Sequence, residues 1–231
     1  MPGEQLPLSI GRAPLRRRLP ARLRPMQPTA VDAPFDDDGY WFEPWWPGVR
    51  CLAFVEQGEL RLRAEGLNDA LASLPELSGL PDQLTADGIV LDGTLLVLDR
   101  DGRPDAELLR RRLAGGPGPG TAAFVASDLL YADGVALGRR AFRGRRARLE
   151  QVLRSGDRVI VGRGHPAEGL LMADALRDLG VAELSARELS ARYRSGPAGA
   201  AWLRIPSGLP GSEPPVERRP SLALIMRLPF D

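Results

Sequence analysis

Trp41-Phe42-Glu43-Pro44-Trp45-Trp46-Pro47-Gly48-Val49-Arg50 is the stretch on which the reading of this chain turns. Three tryptophans and two prolines crowd one glycine, and an apolar run, Cys51 to Val55, follows at once. The prolines forbid a helix here, so the stretch reads as an aromatic-rich loop feeding a strand. Downstream, Gln57-Gly58 separates that strand from Leu60-Arg61-Leu62-Arg63, whose alternation predicts the half-buried second arm of a hairpin.

The 231 residues suffice for one sizeable core with tails. With 43% hydrophobic and 26% charged residues, the chain falls among ordinary globular domains and outside the disordered class. No apolar run matches a bilayer span and no signal-peptide core opens the chain, so a cytoplasmic protein without a membrane partner is expected. Cys51 is the sole cysteine, which excludes an internal disulfide and a cysteine zinc site. No metal ligand set is expected: Asp36, Asp37 and Asp38 are neighbours on a turn, and neighbours seldom converge on one ion.

The net charge of +1 hides an imbalance of type. Lysine is absent, so all 31 basic residues are arginine. A GC-rich genome accounts for most of that bias, but the chemical consequence stands: no side chain carries a primary amine. Arg12, Arg16, Arg17, Arg18, Arg22 and Arg24 fall in residues 1–24, against the single acid Glu4. Four prolines break any helix there. The segment reads as a flexible tail, either phosphate-binding or simply solvated, and no aromatic is interleaved for base stacking.

From Pro25-Met26 the chain reads as a folded domain to residue 206. Asn68-Asp69 predicts the cap of a short helix through Leu74. Ile89–Leu91 and Leu95–Leu98 read as two strand runs, with Asp101-Gly102 closing a second hairpin. Asp105 starts a helix that ends at a Gly/Pro loop from Gly115, and Ala122–Tyr131 is strand up to the Asp133-Gly134 turn. Arg143–Leu153 is a basic helix with Ala147 and Leu149 inward and Arg143, Arg146 and Arg148 outward. Val159–Val161 is a strand, and Ala167–Leu179 is a helix burying Leu170, Leu171, Ala175 and Leu176, stopped at Gly180. Val181–Leu189 and Trp202–Ile205 complete the domain. Residues 207–231 are a Pro/Gly-rich linker followed by an apolar strand candidate, Ser221–Leu228, that adds to a sheet edge. The mixture without a βαβ rhythm predicts an α+β fold with mainly antiparallel sheets.

From Pro25 to Ile205 the chain resembles the adenylation (nucleotidyltransferase) domain of ATP-dependent DNA ligases of the bacterial end-joining type. The resemblance rests on ordered motifs: Trp41–Arg50, Leu60–Arg63, Val90-Leu91-Asp92-Gly93, Asp105–Leu109, Asp128–Gly134, Tyr193–Gly196 and Trp202–Ile205. It implies two packed, largely antiparallel sheets with flanking helices around an ATP cleft, the fold shared with mRNA capping enzymes and akin to ATP-grasp.

At the positions where the family handles ATP and Mg, the residues differ. The family's lysine nucleophile falls on Trp45, whose indole nitrogen has no available lone pair, and its aspartate on Pro47. An arginine after the first hairpin falls on Glu65, a glutamate on Thr94 and an adenine-stacking aromatic on Ser127. The later lysines fall on Arg187, Arg204 and Pro206. Arg50 alone keeps the family identity, as a residual nucleotide contact or as the partner of Glu43 or Glu65. Arg187 and Arg204 hold charge but stay protonated, so neither is a nucleophile. His165 lies in a turn. Asp92, Asp99, Asp128 and Asp133 read as turn and sheet-end residues. No cofactor is expected, and no OB-fold domain follows within residues 207–231.

These readings favour a ligase-like domain without catalysis that binds DNA or a DNA-repair protein. Arg16, Arg17, Arg18, Arg22 and Arg24, with Arg143 and Arg146, are the nucleic-acid contacts. The alternatives are a protein-binding scaffold without DNA contact, and a working nucleotidyltransferase with non-standard ligands.

Overall fold

The computed structural model describes residues 18–67, 69–208 and 220–227. Two short strands, β1 (Met26–Gln27) and β2 (Thr29–Ala30), precede β3 (Asp37–Pro44), the aromatic loop and β4 (Val49–Glu56). Gln57 and Gly58 both hold positive φ, 56° and 79°, as a two-residue hairpin loop requires, and turn the chain into β5 (Glu59–Ala64). Short 3-10 turns between Leu71 and Gln83 lead to β6 (Ile89–Leu98). Helix α1 (Ala106–Gly115) starts where the Asp105 carboxylate accepts from the Leu108 N–H at 2.9 Å.

Then come β7 (Thr121–Ala132), β8 (Val135–Ala136), α2 (Phe142–Val152), β9 (Val159–Val161), β10 (His165–Ala167) and α3 (Gly169–Asp178). The last elements are β11 (Glu183–Glu188), β12 (Gly196–Pro197), β13 (Trp202–Pro206) and α4 (Leu222–Ile225).

Two large sheets result, with β1 and β12 forming a separate parallel pair. One has the order β5-β4-β6-β7-β8, with β9 added parallel to β7; the other has the order β10-β3-β11-β13-β2. The long pairings β4–β6, β6–β7, β3–β11 and β11–β13 are antiparallel, as expected. Alternation along β6 assigns the layers. Ile89, Leu91, Leu95 and Val97 face a core shared with Leu74, Leu77, Leu109 and Leu149. On the other face Leu96 and Val125 belong to a second apolar cluster, which continues through Phe42, Leu184 and Ile205 of the second sheet to Met172, Ala173 and Leu176 of α3. Val90, at the far end of that face, lies with Leu52, Phe54 and Leu130 under Leu19 and Leu23. Asp92 and Thr94 fall between these two apolar patches.

Gly48 sits where the aromatic loop meets β6. A Cβ there would collide with the Leu95 carbonyl and the side chains of Thr94 and Leu96, so only glycine lets the loop lie backbone against backbone.

Several sequence expectations are corrected. Residues 89–98 form one ten-residue strand, and the Asp101-Gly102 turn closes only a single bridge, Leu98 to Pro104, before α1. In α2, Arg145 and Arg146 are buried and Ala147 is exposed, so Arg146 does not point outward. In α3, Leu170 and Leu171 are exposed while Met172, Ala173 and Leu176 face the core. Residues 222–225 are helical, not a strand: Leu222 and Ile225 are buried in the second apolar cluster, and Arg163 holds the Met226 carbonyl at 3.0 Å. Residues 18–24 are not a free tail, because Leu19 is buried and its N–H reaches Glu56. Arg12, Arg16, Arg17, Asn68, residues 209–219 and Leu228 lie outside the described residues. Asp69 does cap, accepting from the Leu71 N–H at 3.0 Å.

Candidate functional site

Between the apolar patches, the facing sheets hold a buried polar cluster. Asp92 on β6 and Asp128 on β7 are partners in register, both fully buried, and Ser127 is the extra residue of the bulge beside them. Each carboxylate has its own guanidinium. Arg50, one strand over on β4, pairs through Nη2 with Asp92 and reaches the Thr94 hydroxyl at 3.5 Å. Arg145 on α2 grips Asp128 bidentately, with two bonds of 2.8 Å, and also donates to the carbonyls of Arg140 and Ala191.

The second sheet contributes Arg187 on β11. Its Nε donates to Glu43 of β3 at 3.0 Å, and its Nη1 lies 3.6 Å from Asp128. Three carboxylates therefore meet three guanidiniums, Arg145 and Arg187 buried and Arg50 partly exposed, and the charges balance. Burial pushes the Asp92 carboxyl above its ordinary range despite the opposing pull of Arg50 and Arg187. Burial draws the Arg187 guanidinium down, but Glu43, Asp128 and Asp92 outweigh it and raise it overall. Tyr193 donates its hydroxyl to Asp92 at 2.8 Å; burial and that carboxylate push the phenol far up, so it stays protonated.

Trp202 closes the cluster. The Arg187 guanidinium lies 4.2 Å and that of Arg50 4.6 Å from its ring centre. Trp45 lies against it, with centroids 5.9 Å apart, and Arg204 covers Trp45 at 4.7 Å while pairing with Glu183. Glu43 Oε2, Arg50 Nε, Arg187 Nη2 and Trp202 Nε1 are sealed from solvent and find no hydrogen-bond partner among the described residues. A ligand reaches these atoms only if the cluster opens.

The structure thus gathers Trp45, Arg50, Thr94, Arg187 and Arg204 at one buried polar cluster, with Ser127 in the bulge beside Asp128, and places Pro47 and Glu65 at exposed turns. Arg50 pairs with Asp92, not with Glu43 or Glu65 as expected. Asp92 and Asp128 are mid-strand cluster members and not turn residues, whereas Asp99 and Asp133 do sit in turns. Arg145 and Tyr193 carry roles that sequence reading misses. An arginine inside an otherwise amphipathic helix is the available signal for the first. Arg146 is buried against Trp41, bonded to Glu150 and the Gly162 carbonyl. Arg143, like Arg18, Arg22 and Arg24, is exposed. Among the described residues no three His, Cys, Asp or Glu side chains converge as on a metal ion. No helix among them is long and apolar enough to cross a membrane.

The architecture, two mainly antiparallel sheets packed around a charged cleft with α2 and α3 flanking, is that of an ATP-dependent DNA ligase nucleotidyltransferase domain. The solved ligase domain of LigD from M. tuberculosis matches it with a TM-score of 0.68 and 29% identity, over 80% of this chain and 59% of that one. A mycobacterial DNA ligase D complexed with ATP and MES matches equally well. Chlorella virus DNA ligase-adenylate, 13% identical at TM-score 0.52, shares the fold. In sequence, the multifunctional non-homologous end joining DNA repair protein LigD of Mycobacterium tuberculosis is 33% identical over 164 residues, 71% of this chain and 21% of that protein. A probable DNA ligase of Anaeromyxobacter dehalogenans is 33% identical over 68% of this chain and 32% of its own length. The chain thus spans about a fifth to a third of these relatives. No family model matches it. The chain is an ATP-dependent DNA ligase-like domain of the end-joining type.

Proposed function

We propose that this domain keeps the ligase fold without the ligase chemistry and acts as a DNA-binding module of double-strand-break or nick repair. One observation carries this reading: the position that the resemblance assigns to the AMP-accepting lysine is Trp45, in a chain with no lysine at all. The family's lysine-based adenylylation needs a side-chain amine that can lose its proton, and neither indole nor guanidinium supplies one.

The residues around it do not fit ATP and Mg as they stand. Arg50 is committed to Asp92, Arg187 to Glu43 and Asp128, and Arg204 to Glu183. Trp45 and Trp202 lie against each other on the second sheet. Thr94 and Ser127, at the glutamate and aromatic positions, bring neither a charge nor a stacking face.

DNA binding is supported by charge. Arg139, Arg192 and Arg194 on two loops, and Arg143 in the first turn of α2, lie exposed where Phe142 N–H bonds Ala191 O and Tyr193 N–H bonds Gly138 O, at 2.9 Å each. None of the four has an acidic partner among the described residues. Clustered unpaired guanidiniums neutralise phosphates and give salt-dependent, sequence-blind affinity. Titrating fluorescent nicked and blunt duplexes at low and high salt, alongside a nick-sealing assay, tests both halves. Binding that falls with salt, without sealing, is expected. Sealing would refute the loss of chemistry, and no binding at low salt would refute the DNA role.

A further inference from the structure

We infer that the domain carries a nucleotide-class site outside the old cleft, in a groove that accepts one nucleoside monophosphate unit. The groove has a volume of about 380 Å³, within the range of roughly 300–1,000 Å³ in which small-molecule sites fall. Part of its lining is apolar and aromatic: Leu23 from the N-terminal segment, Leu130 and Tyr131 from β7, and Tyr193. Its rim carries Arg139, Arg192 and Arg194, and no Asp or Glu lines it.

Two features single this groove out. Several other arginines of this fold are answered by carboxylates, as at Arg103, Arg110, Arg112, Arg177 and Arg204. The three on the rim have no acidic partner among the described residues. Charge concentrated without a counter-charge, beside two tyrosines, complements a ligand that joins an aromatic ring to a phosphate. That lining is also rigid. Tyr193 is fixed by its bond to Asp92 and by accepting from the Met26 N–H at 2.8 Å, and Leu130 is buried under Leu19 and Leu23.

The ligand chemistry is shared by a free mononucleotide and by an unpaired nucleotide of a DNA strand. The second source would make the groove the part of the DNA surface proposed above that tells a single-stranded end from a blunt one. That version rests on the DNA-binding reading; the mononucleotide version does not.

Calorimetric titration with dAMP, deoxyadenosine and inorganic phosphate tests the site. Anisotropy titration of blunt and 5′-overhang duplexes, with dAMP as competitor, identifies the source. Saturable dAMP binding is expected, with deoxyadenosine and phosphate each weaker by about tenfold or more, since each loses either the charge-assisted bonds or the stacking. Arg192→Glu with Arg194→Glu should abolish it. Ala136→Trp, on exposed β8 at the groove wall, should abolish dAMP binding by filling the space while leaving blunt-duplex affinity within about threefold, because it removes no charge. Competition between dAMP and the overhang assigns the strand source, and dAMP binding without competition assigns the free nucleotide. Blunt-duplex binding without any dAMP binding overturns the groove and leaves the DNA reading intact. dAMP binding without duplex binding does the reverse. Unchanged dAMP affinity in Ala136→Trp, with the melting temperature preserved, also overturns the groove.

Discussion

Asp92 and Asp128 stand opposite each other in register on neighbouring strands, fully buried, and three arginines from three other elements keep the pair tolerable. The two carboxylates are not equivalent. Asp128 accepts two short bonds from Arg145, which is itself buried, whereas Asp92 pairs with the partly exposed Arg50 and is pushed by burial toward its neutral form. Asp128→Asn should therefore destabilise the fold by about 3–5 kcal/mol, the usual cost of stranding a buried ion. Asp92→Asn should cost clearly less. Urea unfolding of both variants checks the order, and equal losses would contradict the asymmetry.

A separate clamp sets an acid limit. Arg112 on α1, 2% exposed, donates twice to Glu76 and also holds the carbonyls of Ser73 and Gly120. The hydrogen bonds from Arg112 hold the Glu76 carboxyl down at about 2. A depressed carboxylate stabilises the fold above its unfolded value of about 4.5, and that contribution is lost as pH falls toward 2. Glu76→Gln should remove this part of the acid dependence and lower stability at neutral pH. Stability measured from pH 6 to pH 2 would show a flatter curve for the variant; parallel curves would contradict the clamp.

Restoring the amine alone should not restore the chemistry. Trp45→Lys supplies a nucleophile but leaves Thr94, Ser127 and the Arg50–Asp92 pair unchanged. The variant should remain free of AMP after exposure to ATP and magnesium. It should also be less stable by about 1 kcal/mol, because Trp45 no longer packs on Trp202 and Arg204. Intact mass and thermal melting read the two outcomes, and an AMP-bearing variant would mean that residue 45 is the sole missing part.

If the exposed arginines bind DNA, their removal should show in salt dependence more than at any one concentration. Replacing Arg139, Arg143 and Arg192 with alanine should shrink the slope of log affinity against log salt by roughly 0.9 for each phosphate no longer neutralised. An unchanged slope would place the DNA surface elsewhere.

Local chemistry is legible in the sequence. Gln57-Gly58 and Asp133-Gly134 turn where they should, Asp105 caps α1, and the aromatic loop delivers Arg50 into a strand. What sequence reading misses depends on distant partners. Asp92-Gly93-Thr94 reads as a break in an apolar run, yet it is the middle of β6 because Arg50 and Tyr193, 42 and 101 residues away in sequence, satisfy Asp92. Arg146 reads as part of a solvated helix face, but Trp41 and the Gly162 carbonyl cover it. The short apolar run at 222–226 fits either period, and burial of Leu222 and Ile225, three residues apart, in the second apolar cluster goes with a helix.

The claim on which the rest depends concerns residue 45. Purified protein incubated with ATP and magnesium and then weighed intact should show no added AMP at any time or pH. A stoichiometric AMP adduct on this lysine-free chain would contradict the account directly.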